Sequence, residues 1–225
     1  MPEDRFKADL DNLVRRLRNN GYIKSDEMER AMRAVHREEF VRPEARKHAY
    51  RDSPLPIGLG QTISAPHMCA IMCEGLSLKP GLKVLEIGAG SGYHAALCAE
   101  LVAPPGATNP GHVYTIEIVD GLISFARDNL KRTGYDDRVT LIHADGGIGL
   151  PEQAPFDRIL VAAAAPSVPQ PLIDQLAPGG IMLIPVGSRG FFQELMMVEK
   201  DESEKVTQRR WGGVAFVPLT GEYGH

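Results

Sequence analysis

From Gly81 onward, short apolar runs of strand length alternate with stretches whose apolar residues recur at helical spacing, and this alternation limits the possible fold more than any other feature. Strands that alternate with helices form right-handed βαβ crossovers, which build a parallel sheet with helices on both faces. Two later β-rich runs, 192–198 and 206–217, flank a charged stretch and indicate a hairpin. The pattern predicts an α/β fold with a doubly wound, mostly parallel, Rossmann-like sheet that ends in a C-terminal antiparallel hairpin. The predicted strands are 83–87, 113–116, 139–142, 158–163 and 181–186, and the predicted helices are 94–101, 122–130 and 171–176.

The first 80 residues predict an N-terminal helical extension. Apolar residues from Leu10 to Leu17 recur at helical spacing, and Ser25 can cap a second helix. Residues 52–61 are rich in Pro and Gly and predict an irregular loop, after which Ser64 is a candidate N-cap for a third helix with Pro66 in its first turn. At about 150 residues per domain, a chain of 225 residues predicts a single domain over 1–225, in which 1–80 extends the core 81–225.

Composition narrows the class of partner. Lys and Arg number 25 against 29 Asp and Glu, and this net charge of −4 disfavours a protein that grips a phosphate backbone, so no nucleic-acid partner is expected. No run approaches the ~20 apolar residues of a membrane span, and no apolar signal-peptide region follows the charged N-terminus. Cys69, Cys73 and Cys98 form no CxxC motif, and no Cys/His cluster accompanies them in the sequence. We interpret them as reduced core thiols of a cytoplasmic protein without a metal site.

A turn with three alternating glycines, Gly88, Gly90 and Gly92, follows the first strand of the core. Glycine permits positive φ and close approach of the backbone to a ligand, and open α/β sheets bind ligands at the carboxyl ends of such strands. The dinucleotide fingerprint G-x-G-x-x-G is not met, because Tyr93 stands where its last glycine would be. Glu86 would repel a pyrophosphate but suits a ligand that carries an amino group and a sulfonium. The loop therefore favours S-adenosyl-L-methionine over a nicotinamide dinucleotide.

Two further strands of the predicted sheet also end in acidic residues. Glu117 follows the second strand, where a carboxylate can accept both ribose hydroxyls. Asp145 follows the third strand and is placed to accept a hydrogen bond from an adenine amino group. A glycine-rich turn alone can simply pack a helix onto a sheet, but acids at three neighbouring strand ends favour a nucleoside site.

The segment before the glycine loop carries a more specific signal. Ser64-Ala65-Pro66-His67-Met68, together with 52–58, 60–63, 155–159, 162–166, 171–176 and 216–220, resembles the protein-L-isoaspartate O-methyltransferase family, and 220–224 looks closest to its archaeal members. The resemblance implies a class I methyltransferase sheet and a protein repair enzyme. Such an enzyme methylates the free carboxylate of L-isoaspartyl and D-aspartyl residues in damaged proteins, and the ester then cyclises to a succinimide that reopens partly to normal aspartate. We expect a monomer.

The resemblance also implies residue roles. Ser64 matches the active-site serine, in an acceptor loop that belongs to the N-terminal extension. A carboxylate acceptor has a pKa near ~4 and is ionised at pH 7, so no general base is needed, and we interpret His67 as a structural or substrate-shaping residue. The alternatives are a methyltransferase that acts on RNA or a small molecule, and a protein that binds the cofactor without catalysis. The predicted cofactor site consists of Ile63, Ser64, Glu86, Gly88, Gly90, Ser91, Glu117, Asp145, Gly146 and Thr220.

Overall fold

The computed structural model describes residues 2–189 and 192–225 of the chain. Helices α1 (Pro2–Asn19) and α2 (Asp26–Ala34) come first, followed by two 3-10 turns (Arg37–Glu39 and Pro43–His48). The hydroxyl of Ser25 accepts the backbone N–H of Met28 at 3.1 Å, so the predicted cap of α2 is confirmed. None of the helices in these described ranges is long and apolar enough to cross a membrane.

Residues 52–61 do not form an irregular loop, and this prediction is wrong. Strands β1 (Leu55–Gly58) and β2 (Gln61–Ile63) pair antiparallel across a tight turn in which Leu59 and Gly60 have φ of +54° and +73°. Leu55, Ile57 and Ile63 are all buried, so the hairpin packs one face against the core. The Pro and Gly residues correctly indicated a turn. The alternating apolar side chains on either side of the turn, which indicate strands, were overlooked.

The predicted N-cap role of Ser64 is also wrong. Helix α3 (Pro66–Gly75) is capped at Ala65, and no side chain bonds to its first amides. Because a proline ring disfavours the helical conformation in the preceding residue, Ala65 is held extended and Ser64 lies one residue outside the helix. The Ser64 hydroxyl is therefore not used by the helix.

The central sheet has seven strands in the order β5-β4-β3-β6-β7-β8-β9, parallel from β5 to β7 and antiparallel at β7–β8 and β8–β9. This arrangement confirms the predicted doubly wound sheet with its C-terminal hairpin. The chain runs outward from β3 to β5 and then returns to the other side of β3, so the strand order reverses between β3 and β6. A crevice is expected at the carboxyl ends of these strands. The strands are β3 (Lys83–Ile87), β4 (His112–Glu117), β5 (Val139–His143), β6 (Phe156–Val161), β7 (Leu176–Val186), β8 (Gln193–Lys200) and β9 (Val206–Val214), and the intervening helices are α4 (Tyr93–Val102), α5 (Asp120–Arg132) and α6 (Gln170–Asp174).

Two predicted strands end too late. The strand predicted at 158–163 is β6 and stops at Val161, and the second hairpin strand is β9 and stops at Val214 rather than 217. The reason lies in a contact between distant segments. The amide of Ala164 donates to the carbonyl of Val217 and the amide of Leu219 donates to the carbonyl of Ala164, both at 2.8 Å. The ends of the two apolar runs bridge each other above the sheet instead of extending it.

The N-terminal extension shares its core with one face of the sheet. Leu13, Val14 and Leu17 of α1 belong to the same buried cluster as Val84 of β3 and Val113 of β4. The opposite face buries a second cluster, which includes side chains of β3, β6, β7 and α6. The extension thereby positions the β1–β2 hairpin and α3 beside the ends of the parallel strands.

Candidate active site

A cavity lies at the carboxyl ends of β3, β4 and β6, where the strand order reverses. The glycine loop, the β2–α3 segment and the C-terminal segment all contribute to its wall. Glu86 and Asp145, which we expected in the cofactor site, do not line it. The predicted site residues on the wall are Ile63, Ser64, Gly88, Gly90, Ser91, Glu117, Gly146 and Thr220.

The glycine loop is tied to the end of β4 by its own amides. Gly88 and Gly90 have φ of +92° and +55°, a region open to glycine at little cost. The N–H groups of Gly88 and Ala89 donate to the carbonyl of Ile116 at 2.8 and 3.0 Å, and that of Gly90 donates to Oε2 of Glu117 at 2.8 Å. Because these donors are already used, the loop does not offer them to a phosphate.

Glu117 is a fixed carboxylate on the cavity wall, with 6% of its surface exposed. Its Oε1 accepts the N–H groups of Ile118 and Val119 at 3.0 and 2.9 Å, while Oε2 accepts that of Gly90. A carboxylate has about four lone-pair sites and three are used here, so one site, on Oε2, remains for a ligand. The arrangement suits a ribose, one of whose hydroxyls can donate to this acceptor of fixed position.

Glu86 lies behind the wall and is fully buried. Its Oε2 accepts the hydroxyl of Thr115, and among the described residues Oε1 has no partner. Burial raises the pKa of Glu86 to about 8, so the group is mostly protonated at pH 7. A neutral carboxyl cannot repel a pyrophosphate, so the repulsion that we expected from Glu86 does not support the choice of ligand.

Asp145 holds the C-terminal segment. Its Oδ1 accepts the N–H of Gly147 at 2.8 Å, and Oδ2 accepts that of Glu222 at 2.7 Å. A Cβ at Gly221 would lie 2.3–2.4 Å from this carboxylate, which shows how closely the backbone approaches it. The next residue, Gly146, forms the wall at this strand. The sequence shows an acid after a strand, but it does not show a partner 77 positions away.

The C-terminal segment closes one side of the cavity. Residues 217–220 line it and are held in place by the two bonds between this segment and Ala164. The side chain of Gln193 pairs with the backbone of Phe216, accepting its N–H at 2.7 Å and donating to its carbonyl at 3.2 Å. The cavity is thereby closed by a segment bonded at both ends.

A groove adjoins the cavity. Ser64, Thr62, Ala162 and Val217 line both, so Ser64 lies where the two meet. Within the described ranges, the Ser64 hydroxyl makes no hydrogen bond. Phe192, whose surface is 90% exposed, stands on the groove. The groove offers an approach to Ser64 that does not pass through the cavity.

His67 lines the groove and is oriented by Asp52. Its Nδ1 lies 2.8 Å from Oδ1 of Asp52, which also accepts the backbone N–H of His67 at 2.9 Å, and the ring of Tyr22 packs 5.3 Å away. A proton on Nδ1, facing the carboxylate, leaves Nε2 as an acceptor in the neutral ring. Sequence reasoning missed Asp52, because a partner in a loop 15 positions away has no characteristic spacing.

The charge of the cavity suits a positively charged ligand. Among the described residues that line it there is no Lys or Arg, and Glu117 supplies the carboxylate. A diphosphate would find no cation here, and the amides of Gly88, Ala89 and Gly90 are already used, whereas a sulfonium and a ribose meet the carboxylate of Glu117. Apolar side chains that our sequence analysis did not identify form much of the remaining wall, among them Ile118, Val119, Leu122 and Leu219.

Comparisons with known proteins agree with this geometry. A family model described as protein-L-isoaspartate(D-aspartate) O-methyltransferase matches residues 8–224. A protein-L-isoaspartate O-methyltransferase of Hyperthermus butylicus is 57% identical over 224 residues, which cover 99% of this chain and 92% of that protein. One from Methanopyrus kandleri is 56% identical, and the match covers 97% of this chain and 94% of the relative.

Solved structures give the same result. A putative protein-L-isoaspartate O-methyltransferase from Plasmodium falciparum, crystallised with S-adenosyl-L-homocysteine, is 30% identical with a TM-score of 0.81. The match covers 93% of this chain and 97% of that one. Another structure, named protein-L-isoaspartate O-methyltransferase, has a TM-score of 0.84 at 28% identity. The match covers 96% of this chain and 67% of that chain.

Proposed function

The chain belongs to the protein-L-isoaspartate(D-aspartate) O-methyltransferase family, and we propose how its residues divide the work of that family's reaction. The enzyme is a protein repair methyltransferase that transfers the methyl group of S-adenosyl-L-methionine to the free carboxylate of L-isoaspartyl and D-aspartyl residues. The observation that carries the proposal is the position of Ser64, which lines both the cavity and the groove. We assign the cavity to the cofactor and the groove to the damaged peptide.

The residues on the cavity wall fit the cofactor. We assign the ribose to Glu117, which lines the cavity and whose position is fixed by three backbone N–H groups. Ile118 and Leu122 supply apolar surface for the adenine ring, and Gly88, Gly90 and Ser91 let the chain pass close to the methionine part. Glu86 acts from behind the wall, where it holds Thr115 of β4.

When bound, S-adenosyl-L-methionine supplies a methyl group, which passes to a carboxylate oxygen as its bond to sulfur breaks and S-adenosyl-L-homocysteine remains. The acceptor carboxylate has a pKa near ~4 and is already ionised at pH 7, so the protein need not remove a proton. Ser64 donates its hydroxyl hydrogen to one carboxylate oxygen and leaves the other free to attack. The segment 217–220 keeps water from the reacting groups.

The groove accommodates the peptide that carries the damaged residue. Phe192 offers an exposed apolar ring for a neighbouring side chain, and His67, held by Asp52, shapes the opposite part of the groove. We assign His67 to substrate positioning, since the reaction needs no general base. This division lets one cofactor cavity serve peptides of many sequences, because only the carboxylate reaches Ser64.

We further propose a cytoplasmic monomer without a nucleic-acid partner. The three cysteines are unpaired thiols, as is usual in a reducing compartment. The net charge of −4 provides no overall positive field for RNA. Size-exclusion chromatography with light scattering tests the oligomeric state.

A paired-peptide assay with labelled cofactor tests the activity. One peptide carries an isoaspartyl residue, and its control has the same sequence with a normal aspartyl residue. We expect base-labile methyl ester on the isoaspartyl peptide and none on the control. Label on both peptides, or on tRNA in a parallel reaction and on neither peptide, would contradict the proposed function.

A further inference from the structure

Three buried side chains from two helices meet beside the cofactor cavity. Cys73 lies on α3, and His94 and Cys98 lie one turn apart on the same face of α4. One potential ligand atom from each residue falls within 4.8 Å of the other two. We interpreted the cysteines as core thiols. The spacing of His94 and Cys98 is visible in the sequence, but Cys73 lies on another helix and joins them only when α3 and α4 pack together.

The histidine of this cluster is buried close to the backbone of Cys69, and no well-formed hydrogen bond from a described residue holds its ring. His94 is 7% exposed, and within the described ranges neither of its ring nitrogens has a hydrogen-bond partner. Buried polar groups are nearly always paired, because leaving them unpaired costs the free energy of their lost hydration. An unpartnered imidazole between two thiols is what a metal site without its ion would contain.

We propose that Cys73, His94 and Cys98 bind a thiophilic metal ion of the zinc type. Two sulfurs and one imidazole nitrogen are a soft donor set that favours zinc over magnesium or calcium. In a tetrahedral zinc site such atoms lie about 3.5–3.8 Å apart, so each distance in the cluster needs to shorten by about 1.3 Å at most. Three ligands leave one coordination position open.

The charges of the site balance on binding. Zinc is bound by histidine as the neutral imidazole and by cysteine as the thiolate. Binding by the two cysteines therefore releases their protons to solvent and leaves two thiolates that neutralise the divalent ion.

The cluster has one positively charged and one neutral side chain nearby. Arg37 is fully buried with its guanidinium 4.9 Å above the ring of Tyr93, and its two Nη atoms have no partner within the described residues. Its charge lowers the pKa of the Cys69 thiol, although burial outweighs this effect and raises that pKa to about 12. Glu86 of β3 is mostly protonated at pH 7, so this carboxyl adds no full negative charge.

The site would join the two halves of the catalytic machinery. Helix α3 follows Ser64, and α4 follows the glycine loop, so an ion held by Cys73 and Cys98 ties the acceptor side to the cofactor side. His94 itself lines the cofactor cavity. The ion would brace the reaction site from behind without touching the reacting atoms.

Titration of the full-length, chelator-stripped and reduced chain with Co²⁺ and Zn²⁺ tests the proposal. We expect one ion per chain, a thiolate-to-cobalt charge-transfer band, the visible absorption of tetrahedral Co²⁺, and release of about two protons per ion. Saturation with Zn²⁺ at ~100 times its Kd should raise Tm by roughly 5–10 °C. Because the chain has only three cysteines, thiolate absorption can arise only from Cys69, Cys73 or Cys98.

Variants assign the ligands. Cys98→Ala and His94→Asn should each weaken Co²⁺ binding at least tenfold. The control His112→Gln should leave Co²⁺ binding unchanged, because His112 is hydrogen-bonded to Thr140 and does not belong to the cluster. Circular dichroism checks that each variant folds, and if one does not, the wild-type titration decides alone. The proposal would be overturned if excess Co²⁺ gave no thiolate band, or if both cluster variants bound Co²⁺ as tightly as the wild type. None of these readouts depends on methyl transfer.

Discussion

Glu117 is the residue whose replacement separates cofactor binding from the rest of the reaction most clearly. Its carboxylate accepts three backbone N–H groups at 2.8–3.0 Å and is proposed to accept a ribose hydroxyl. In Glu117→Gln, one oxygen becomes an NH₂ group that cannot accept. A hydrogen bond to a charged group contributes about 1.5–3 kcal/mol, so Kd for S-adenosyl-L-homocysteine should rise about 10- to 150-fold.

The same substitution lowers the stability of the fold. The NH₂ group of the glutamine is a donor, and it would stand opposite a backbone N–H of Gly90, Ile118 or Val119 that needs an acceptor. We expect a loss of about 1–3 kcal/mol in the free energy of unfolding and a Tm lower by roughly 2–12 °C. Isothermal titration calorimetry at a temperature where the variant is folded measures Kd, with Glu152→Gln, an exposed surface change, as control. An unchanged Kd in a folded Glu117→Gln variant would refute the ribose assignment.

Three further predictions concern Glu86, Asp145 and Phe192. Burial raises the pKa of Glu86 from 4.5 to about 8, so the folded state binds this proton more tightly than the unfolded state. The free energy of unfolding should therefore fall as pH rises between these values. Glu86→Gln should abolish that fall when thermal unfolding is compared at pH 6 and pH 9. In Asp145→Ala the amides of Gly147 and Glu222 lose their acceptor, so hydrogen exchange at Glu222 should accelerate about tenfold; equal exchange in wild type and variant would show that Asp145 does not hold the C-terminal segment. Phe192→Ala should raise KM for isoaspartyl peptides about fivefold without changing the cofactor Kd, and a shift in cofactor Kd alone would show that Phe192 does not contact the peptide.

Local patterns in the sequence predicted the sheet well. The strand predicted at 83–87 coincides with β3, because its apolar run is bounded by a charged residue and by the glycine turn. The cap at Ser25 was predictable from residue type and the following acids. Each of these features depends on neighbours within a few positions.

The features that could not be predicted depend on contacts between distant segments. Asp145 lies at the end of a strand as expected, but both its oxygens accept backbone amides, one of them from Glu222. The β1–β2 hairpin exists because Ile57 and its neighbours are buried against the core, which outweighs the loop-forming composition of that stretch. The cluster of Cys73, His94 and Cys98 forms only when α3 and α4 pack together.

The most direct test of the account is kcat/KM for an isoaspartyl peptide at saturating S-adenosyl-L-methionine, measured for wild type and Ser64→Ala with the aspartyl peptide as control. Loss of one orienting hydrogen bond of ~0.5–1.5 kcal/mol predicts a decrease of about 2- to 13-fold, and a larger one if the carboxylate is left unpaired. We expect this decrease on the isoaspartyl peptide and no methyl ester on its control with either protein. An unchanged kcat/KM for the folded variant would contradict the placement of Ser64 at the acceptor carboxylate.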